Sequence, residues 1–128
     1  MEPGELLRAA ESIQFFDWNE PEIPASVVRL GKTVYGFEPE KGYLLHSVDA
    51  DGKLGETPVD EPDHVDLVVC FRPPEEQVGL AQFAVNKGAK GFWVQPPVEA
   101  SHIARVSTQR ARMSFVVDTD IREVASAL

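Results

Sequence analysis

The stretch Val65-Asp66-Leu67-Val68-Val69-Cys70-Phe71-Arg72-Pro73-Pro74, continued by Gly88-Ala89-Lys90-Gly91-Phe92-Trp93-Val94-Gln95-Pro96, decides the fold. It reads as a buried strand, a helix opening on proline, a second buried strand and another helix opening. An apolar middle as unbroken as Leu67 to Phe71 belongs to a strand covered on both faces, the condition of a parallel sheet between helical layers. Two such units side by side gather their loops at the carboxyl edge of the sheet, where open α/β sheets bind ligands.

Outward from this centre, strand and helix signals alternate. Gly4 to Ala10 forms a short amphipathic helix with Leu6, Leu7 and Ala10 on its apolar side. Ser12 to Trp18 is short, aromatic and β-prone, a first strand, and Asn19 to Pro24 is a loop. Val27, Leu30 and Val34 fall at helical spacing, so Ala25 to Phe37 is expected to be helical despite Gly31 and Gly36. Tyr43 to Asp49 is the second strand, Gly52 to Pro62 a polar, turn-rich connection, and His64 to Phe71 the third strand. Pro74-Glu75-Glu76 opens a helix with proline in its first turn and acids at the positive end of its dipole, ending near Gly88. Lys90 to Gln95 is the fourth strand, Pro97 to Arg110 a helix, Arg112 to Asp118 the fifth strand, and Ile121 to Leu128 the last helix. The expected fold class is α/β: one domain over residues 1–128, with a doubly wound parallel five-stranded sheet in the order 3-2-1-4-5.

Composition narrows the function. A chain of 128 residues with 43% hydrophobic and 26% charged residues buries an ordinary core. Cys70 is the only cysteine, so there is no intrachain disulfide and no thiolate-built metal site. The opening Met1-Glu2-Pro3-Gly4-Glu5 has neither the basic nor the apolar region of a secretory signal, and no apolar run reaches the length of a membrane helix. A cytoplasmic location is the default expectation. The net charge of −9 lies wholly in residues 1–63, which hold 14 acids and 5 bases, while residues 64–128 hold seven of each. No basic stripe exists to meet nucleic acid or an acidic membrane.

In the expected topology the ligand crevice opens between the ends of the first strand and of the strand beginning at Val65. Asp17, Trp18 and Asn19 line one side, beside Phe16, and Phe71, Arg72 and Pro73 the other, beside Pro74. Gln95 and Pro96 stand on the next loop, and Val48 and Asp49, with Ala50, end the strand on the opposite flank. Arg72 has the forked donors for a ligand phosphate, or for a neighbouring acid such as Glu75 or Glu76. Trp18 is placed either to stack on a base or to plug the crevice; Phe71 and Trp93 are strand aromatics, core residues by default. Asp17, Asp49 and Asp118 all end strands and form a candidate cation set, with helix capping as the plainer alternative. Cys70 reads as an inert core thiol. No nucleophile with a base beside it is present, so the chain is expected not to be an enzyme and to carry no resident metal.

The chain resembles the small bacterial CoA-binding domain family, whose fold is Rossmann-like. Val65-Asp66-x-Val68 leading to Phe71-Arg72-x-Pro74 carries the resemblance, with Gly88-Ala89-Lys90-x-x-Trp93-x-Gln95 and Val117-Asp118-x-x-Ile121. Gly42-Tyr43 and Gly55-Glu56 also fit, so order and spacing match from about Gly42 to Ile121. The resemblance implies that CoA, or an acyl-CoA or related adenine nucleotide, lies across the carboxyl edge.

The first loop departs from the family. Family members have a glycine there, followed by small or basic residues that wrap a diphosphate. This chain has Phe16-Asp17-Trp18-Asn19-Glu20-Pro21-Glu22, with no glycine and three carboxylates. Each carboxylate within about 8 Å of a phosphate costs on the order of 1 kcal/mol after screening. Val48-Asp49-Ala50 and Thr119-Asp120 also replace family residues. Two functions follow. The first is a non-catalytic CoA-type binder, with a nucleotide-like small molecule as partner. The second is a scaffold that has lost its nucleotide and serves as a protein-interaction or oligomerisation module, for instance as a homodimer.

Overall fold

The computed structural model describes residues 1–128. Its elements are α1 (Pro3–Ala9), β1 (Ser12–Phe16), α2 (Glu22–Val28), β2 (Thr33–Glu38), β3 (Gly42–Val48), β4 (Leu54–Pro58), β5 (Leu67–Cys70), α3 (Pro74–Asn86), β6 (Gly91–Val94), α4 (His102–Arg110), β7 (Ser114–Val116) and α5 (Ile121–Ser126). The sheet has seven strands in the order β4-β3-β2-β1-β5-β6-β7. β2, β1, β5, β6 and β7 are parallel, whereas β3 and β4 are each antiparallel to their neighbours.

This corrects the expected five-strand sheet, and one misread segment accounts for most of the difference. The helix expected over Ala25 to Phe37 stops at Val28, and Thr33 to Glu38 is a strand. Gly31 sits at φ 84°, the left-handed conformation that closes a helix, and its N–H is bonded back to the Val28 carbonyl. Beyond it the period changes from helical to alternating: Val34 and Gly36 face one layer, Tyr35 and Phe37 the other. The polar connection expected over Gly52 to Pro62 also yields a strand, the five-residue β4. Its exposed, proline-bearing sequence suits an edge, where an unpaired backbone needs protection from further pairing.

The order also differs. The segment expected as the third strand lies directly against β1, where the expected crevice put it, and not at the margin to which the order 3-2-1-4-5 assigned it, with Gln14 opposite Val68 and Phe16 opposite Cys70. The chain therefore winds one way from β1 and the other way from β5, and the crevice between them is the switch point. The helix expected from Pro97 begins only at His102, where Ser101 Oγ accepts the Ala104 N–H at 3.1 Å.

Helices cover both faces. On one, Leu6 and Leu7 of α1, Ile23 and Val27 of α2, and Ile121 of α5 pack on Ile13, Phe15, Leu67, Val69 and Trp93. On the other, Ala81 and Ala84 of α3 and Ala104 of α4 pack on Phe16, Val68, Cys70, Phe92 and Val94. Asp66 pins the start of β1 to the start of β5: its carboxylate accepts the backbone N–H of Glu11 at 2.8 Å and of Ser12 at 3.3 Å, and meets His64 Nε2 at 2.7 Å. Burial would raise its pKa, but these bonds outweigh it and hold the carboxyl below its usual range.

Candidate functional site

At the carboxyl edge a cavity of about 630 Å³ opens beside the β1–β5 switch point. The ends of β1 and β2, the β2–β3 turn and one face of α3 enclose it. Phe16, Phe37, Tyr43, Leu80 and Phe83 form its apolar walls, and Asp17, Glu38, Arg72 and Glu76 its polar rim. The aromatic rings are mutually fixed: Phe83 meets Phe16 edge-on at 4.9 Å between centroids, and Phe37 meets Tyr43 at 5.0 Å. Gly79 lies in the helical wall, and a Cβ there would meet nothing within 4 Å.

Of the residues expected at the crevice, Asp17, Trp18 and Arg72 line this cavity, along with Phe16. Asn19, Phe71, Pro73 and Pro96 stand on neighbouring loops at the same edge without lining it. Gln95 is buried and engaged with the chain itself: its Nε2 donates to Asp120 Oδ1 at 2.7 Å, and its Oε1 accepts the Ile121 N–H at 3.0 Å. It fastens α5 to β6. Val48 and Asp49 require correction. Because β3 runs antiparallel to β2, its carboxyl end lies at the opposite edge of the sheet, where Asp49 Oδ1 accepts the N–H groups of Asp51 and Lys53 in the β3–β4 turn. The beginning of that strand, Gly42 and Tyr43, reaches the cavity instead. The same reversal separates Asp49 from Asp17 and Asp118, so the three aspartates do not converge.

Each carboxylate of the acidic first loop meets an arginine within the fold. Asp17 Oδ2 accepts Arg72 Nη1 at 2.9 Å, Glu20 pairs with Arg122, and Glu22 pairs with Arg29. Glu22 has Arg29, Glu20 shares Arg122 with Asp120, and of the three carboxylates only Asp17 lines the cavity. Arg72 also holds Glu76 through Nε at 3.2 Å and Nη2 at 2.8 Å. The hydrogen bond from Arg72 depresses the Glu76 pKa, and those from Glu76 and Asp17 raise that of Arg72 further. Glu38 is paired with Lys41 at 3.3 Å.

Trp18 closes over His46, its indole edge-on to the imidazole with centroids 4.9 Å apart. His46 is 5% exposed, and neither ring nitrogen has a hydrogen-bond partner. Gly36 makes room for this stack, because a Cβ there would collide with both rings. Burial lowers the His46 pKa, prevailing over the approach of the Gly55 backbone and the charge of Glu38. The unfolded chain therefore takes up a proton near pH 6.5 that the fold resists, and stability present above that pH is lost below it. The melting temperature is expected to fall more steeply from pH 7 to pH 5 in the wild type than in His46→Gln; parallel curves would count against this. Cys70 is buried, and burial pushes its thiol up to about 11, as befits an unreactive core residue.

Sequence reasoning missed Phe37, Tyr43, Leu80 and Phe83 as cavity walls. The first two were hidden by the misread helix and by the strand's direction. The alternation of Tyr35 and Phe37 with Val34 and Gly36 was the signal that could have found one wall.

A seven-stranded, mostly parallel α/β sheet with helices on both faces and a cavity at its switch point has the Rossmann-like architecture. Residues 22–119 match the model of the CoA binding domain, and the chain belongs to that family. Its fold is shared by solved structures of low sequence identity. A hypothetical protein from Pyrococcus horikoshii OT3 has 20% identity and a TM-score of 0.72, over 99% of this chain and 89% of that one. Prb, a PH1109 protein redesigned for binding, has 19% identity and a TM-score of 0.76 with the same coverage. A cell-free-produced protein from Thermus thermophilus, ID.343, has 17% identity and a TM-score of 0.70, over 99% and 98% of the two chains.

Proposed function

We propose that this chain binds CoA or an acyl-CoA in the carboxyl-edge cavity and catalyses no reaction on it. One observation carries the reading: in a member of the CoA-binding domain family, the switch point opens into a ready-made aromatic cavity of ordinary ligand size. Phe16, Phe37, Tyr43 and Phe83 offer flat apolar surface to a ring or an acyl chain. Glu20 and Glu22 pair with arginines and do not line the cavity, which lessens the electrostatic objection that the loop sequence raises. The binding role is further supported as a non-catalytic one by the state of the reactive groups: the Cys70 thiol is buried, His46 is sealed under Trp18, and Arg72 is held by two carboxylates.

Calorimetric titration with CoA and acetyl-CoA tests this, with Gly79→Phe as the comparison. The wild type is expected to bind in the micromolar range. Gly79→Phe fills the cavity and should weaken binding at least tenfold. It should melt no lower than the wild type, because removing a helix-interior glycine gains up to about 0.5 kcal/mol. No heat and no thermal shift with either ligand would overturn the proposal.

A further inference from the structure

Asp17 stands at φ 72°, in the left-handed region that side chains other than those of Asn and Asp rarely enter. Its carboxylate bridges two donors: Oδ1 accepts the Trp18 backbone N–H at 2.9 Å, and Oδ2 accepts Arg72 Nη1 at 2.9 Å. A backbone N–H and a guanidinium converging at the mouth of a cavity make a seat for an anion. Here the chain's own carboxylate fills that seat. Glu76 takes the other side of the same guanidinium, so all three Arg72 nitrogens are engaged. Beyond this rim the cavity offers only apolar and aromatic walls, and its other charged group, Glu38, is again an acid.

We propose that Asp17 is the specificity-determining residue of the cavity: it occupies the anion seat, so that an uncharged flat ring is admitted and a phosphate attached to that ring is kept away from Arg72. This deepens the reading of the cavity as the site for an adenine-nucleotide-type ligand and rests on it. A carboxylate on the seat repels an incoming phosphate while satisfying the cation that would attract it, so both effects act against a charged ligand. An uncharged ring meets neither.

The test compares adenosine, ADP and CoA on the wild type, Asp17→Asn and Asp17→Gly. Asparagine keeps the shape of the side chain, and glycine suits the backbone angle, so the two variants lose the charge by independent routes. In the wild type, ADP is expected to bind no tighter than adenosine. In both variants ADP should gain about tenfold, an advantage that fades in high salt, while adenosine changes by less than about twofold. Three results would overturn the inference alone: an unchanged ratio of ADP to adenosine affinity in both variants, wild-type preference for ADP by tenfold, or binding of CoA with none of adenosine. No binding of any of the three ligands by any of the three proteins would overturn the parent reading together with this one.

Discussion

Trp93→Ala is expected to destabilise the protein by about 3–5 kcal/mol, the largest loss from any single side chain here. Trp93 is fully buried in β6, within the core layer that joins α1 and α5 to the sheet. Truncation removes a large apolar contact and leaves a cavity that the flanking strands cannot collapse to fill, because their ladders fix their spacing. It also deprives the Thr119 carbonyl of the indole N–H, which donates to it at 2.8 Å. Equilibrium unfolding in urea measures the loss, and Trp93→Phe should recover more than half of it. A loss below about 1.5 kcal/mol for the alanine variant would show that this site relaxes, contrary to expectation.

Gln77→Leu comes second, at about 3 kcal/mol. Gln77 is a fully buried polar residue in the second turn of a helix that packs on the sheet. Its Nε2 donates to the Arg72 carbonyl at 3.0 Å and to the Glu99 carbonyl at 2.8 Å, and its Oε1 accepts the Ser101 N–H at 2.8 Å. One side chain thereby joins α3 to the loop that carries Arg72 and to the loop that leads into α4. Leucine matches it in bulk but leaves a buried N–H and two carbonyls without partners. Because the loss stems from hydrogen bonding, Gln77→Met should behave like Gln77→Leu in the same unfolding measurement. Near-wild-type stability for methionine would show that packing, not hydrogen bonding, governs the position. The effect should also reach the cavity, since Arg72 is positioned from the loop that Gln77 holds.

Much of the parallel half of the molecule was legible in the residues. Val65 to Phe71 and Lys90 to Gln95 are apolar on both faces, and that pattern is local, so it marks buried strands whatever lies around them. Proline and acids at the start of α3 identify that helix equally locally. Of the remaining strands, β3 was legible too, expected over Tyr43 to Asp49 and found over Gly42–Val48, whereas β2 and β4 were not. Val27, Leu30 and Val34 satisfy helical spacing, yet a glycine in the left-handed region breaks the segment in two, and the short alternation that follows is overridden by the helical pattern until pairing with its neighbours fixes β2. Nothing in the polar run from Leu54 to Pro58 says strand. It becomes one because β3 presents an open edge and the turn at Asp49 folds the chain back along it.

For the site, local reading placed Asp17, Trp18 and Arg72 at the edge where the cavity lies, because strand ends follow from strand positions. It misplaced Val48 and Asp49, because the direction of a strand depends on its partner and not on its own sequence.

The sequence by itself determined the class of fold, the β1–β5 switch point and the family, since each rests on patterns that a few neighbouring residues carry. Only the tertiary structure decided what the acidic first loop means. Glu20 meets Arg122 across 102 residues of chain and Asp17 meets Arg72 across 55, and these pairings offset part of the apparent repulsion. The same folding brings Phe37, Tyr43 and Phe83 from separate elements into one wall. Charge pairing and cavity shape are properties of distance in space, and a linear chain fixes such distances only once its sheet has closed.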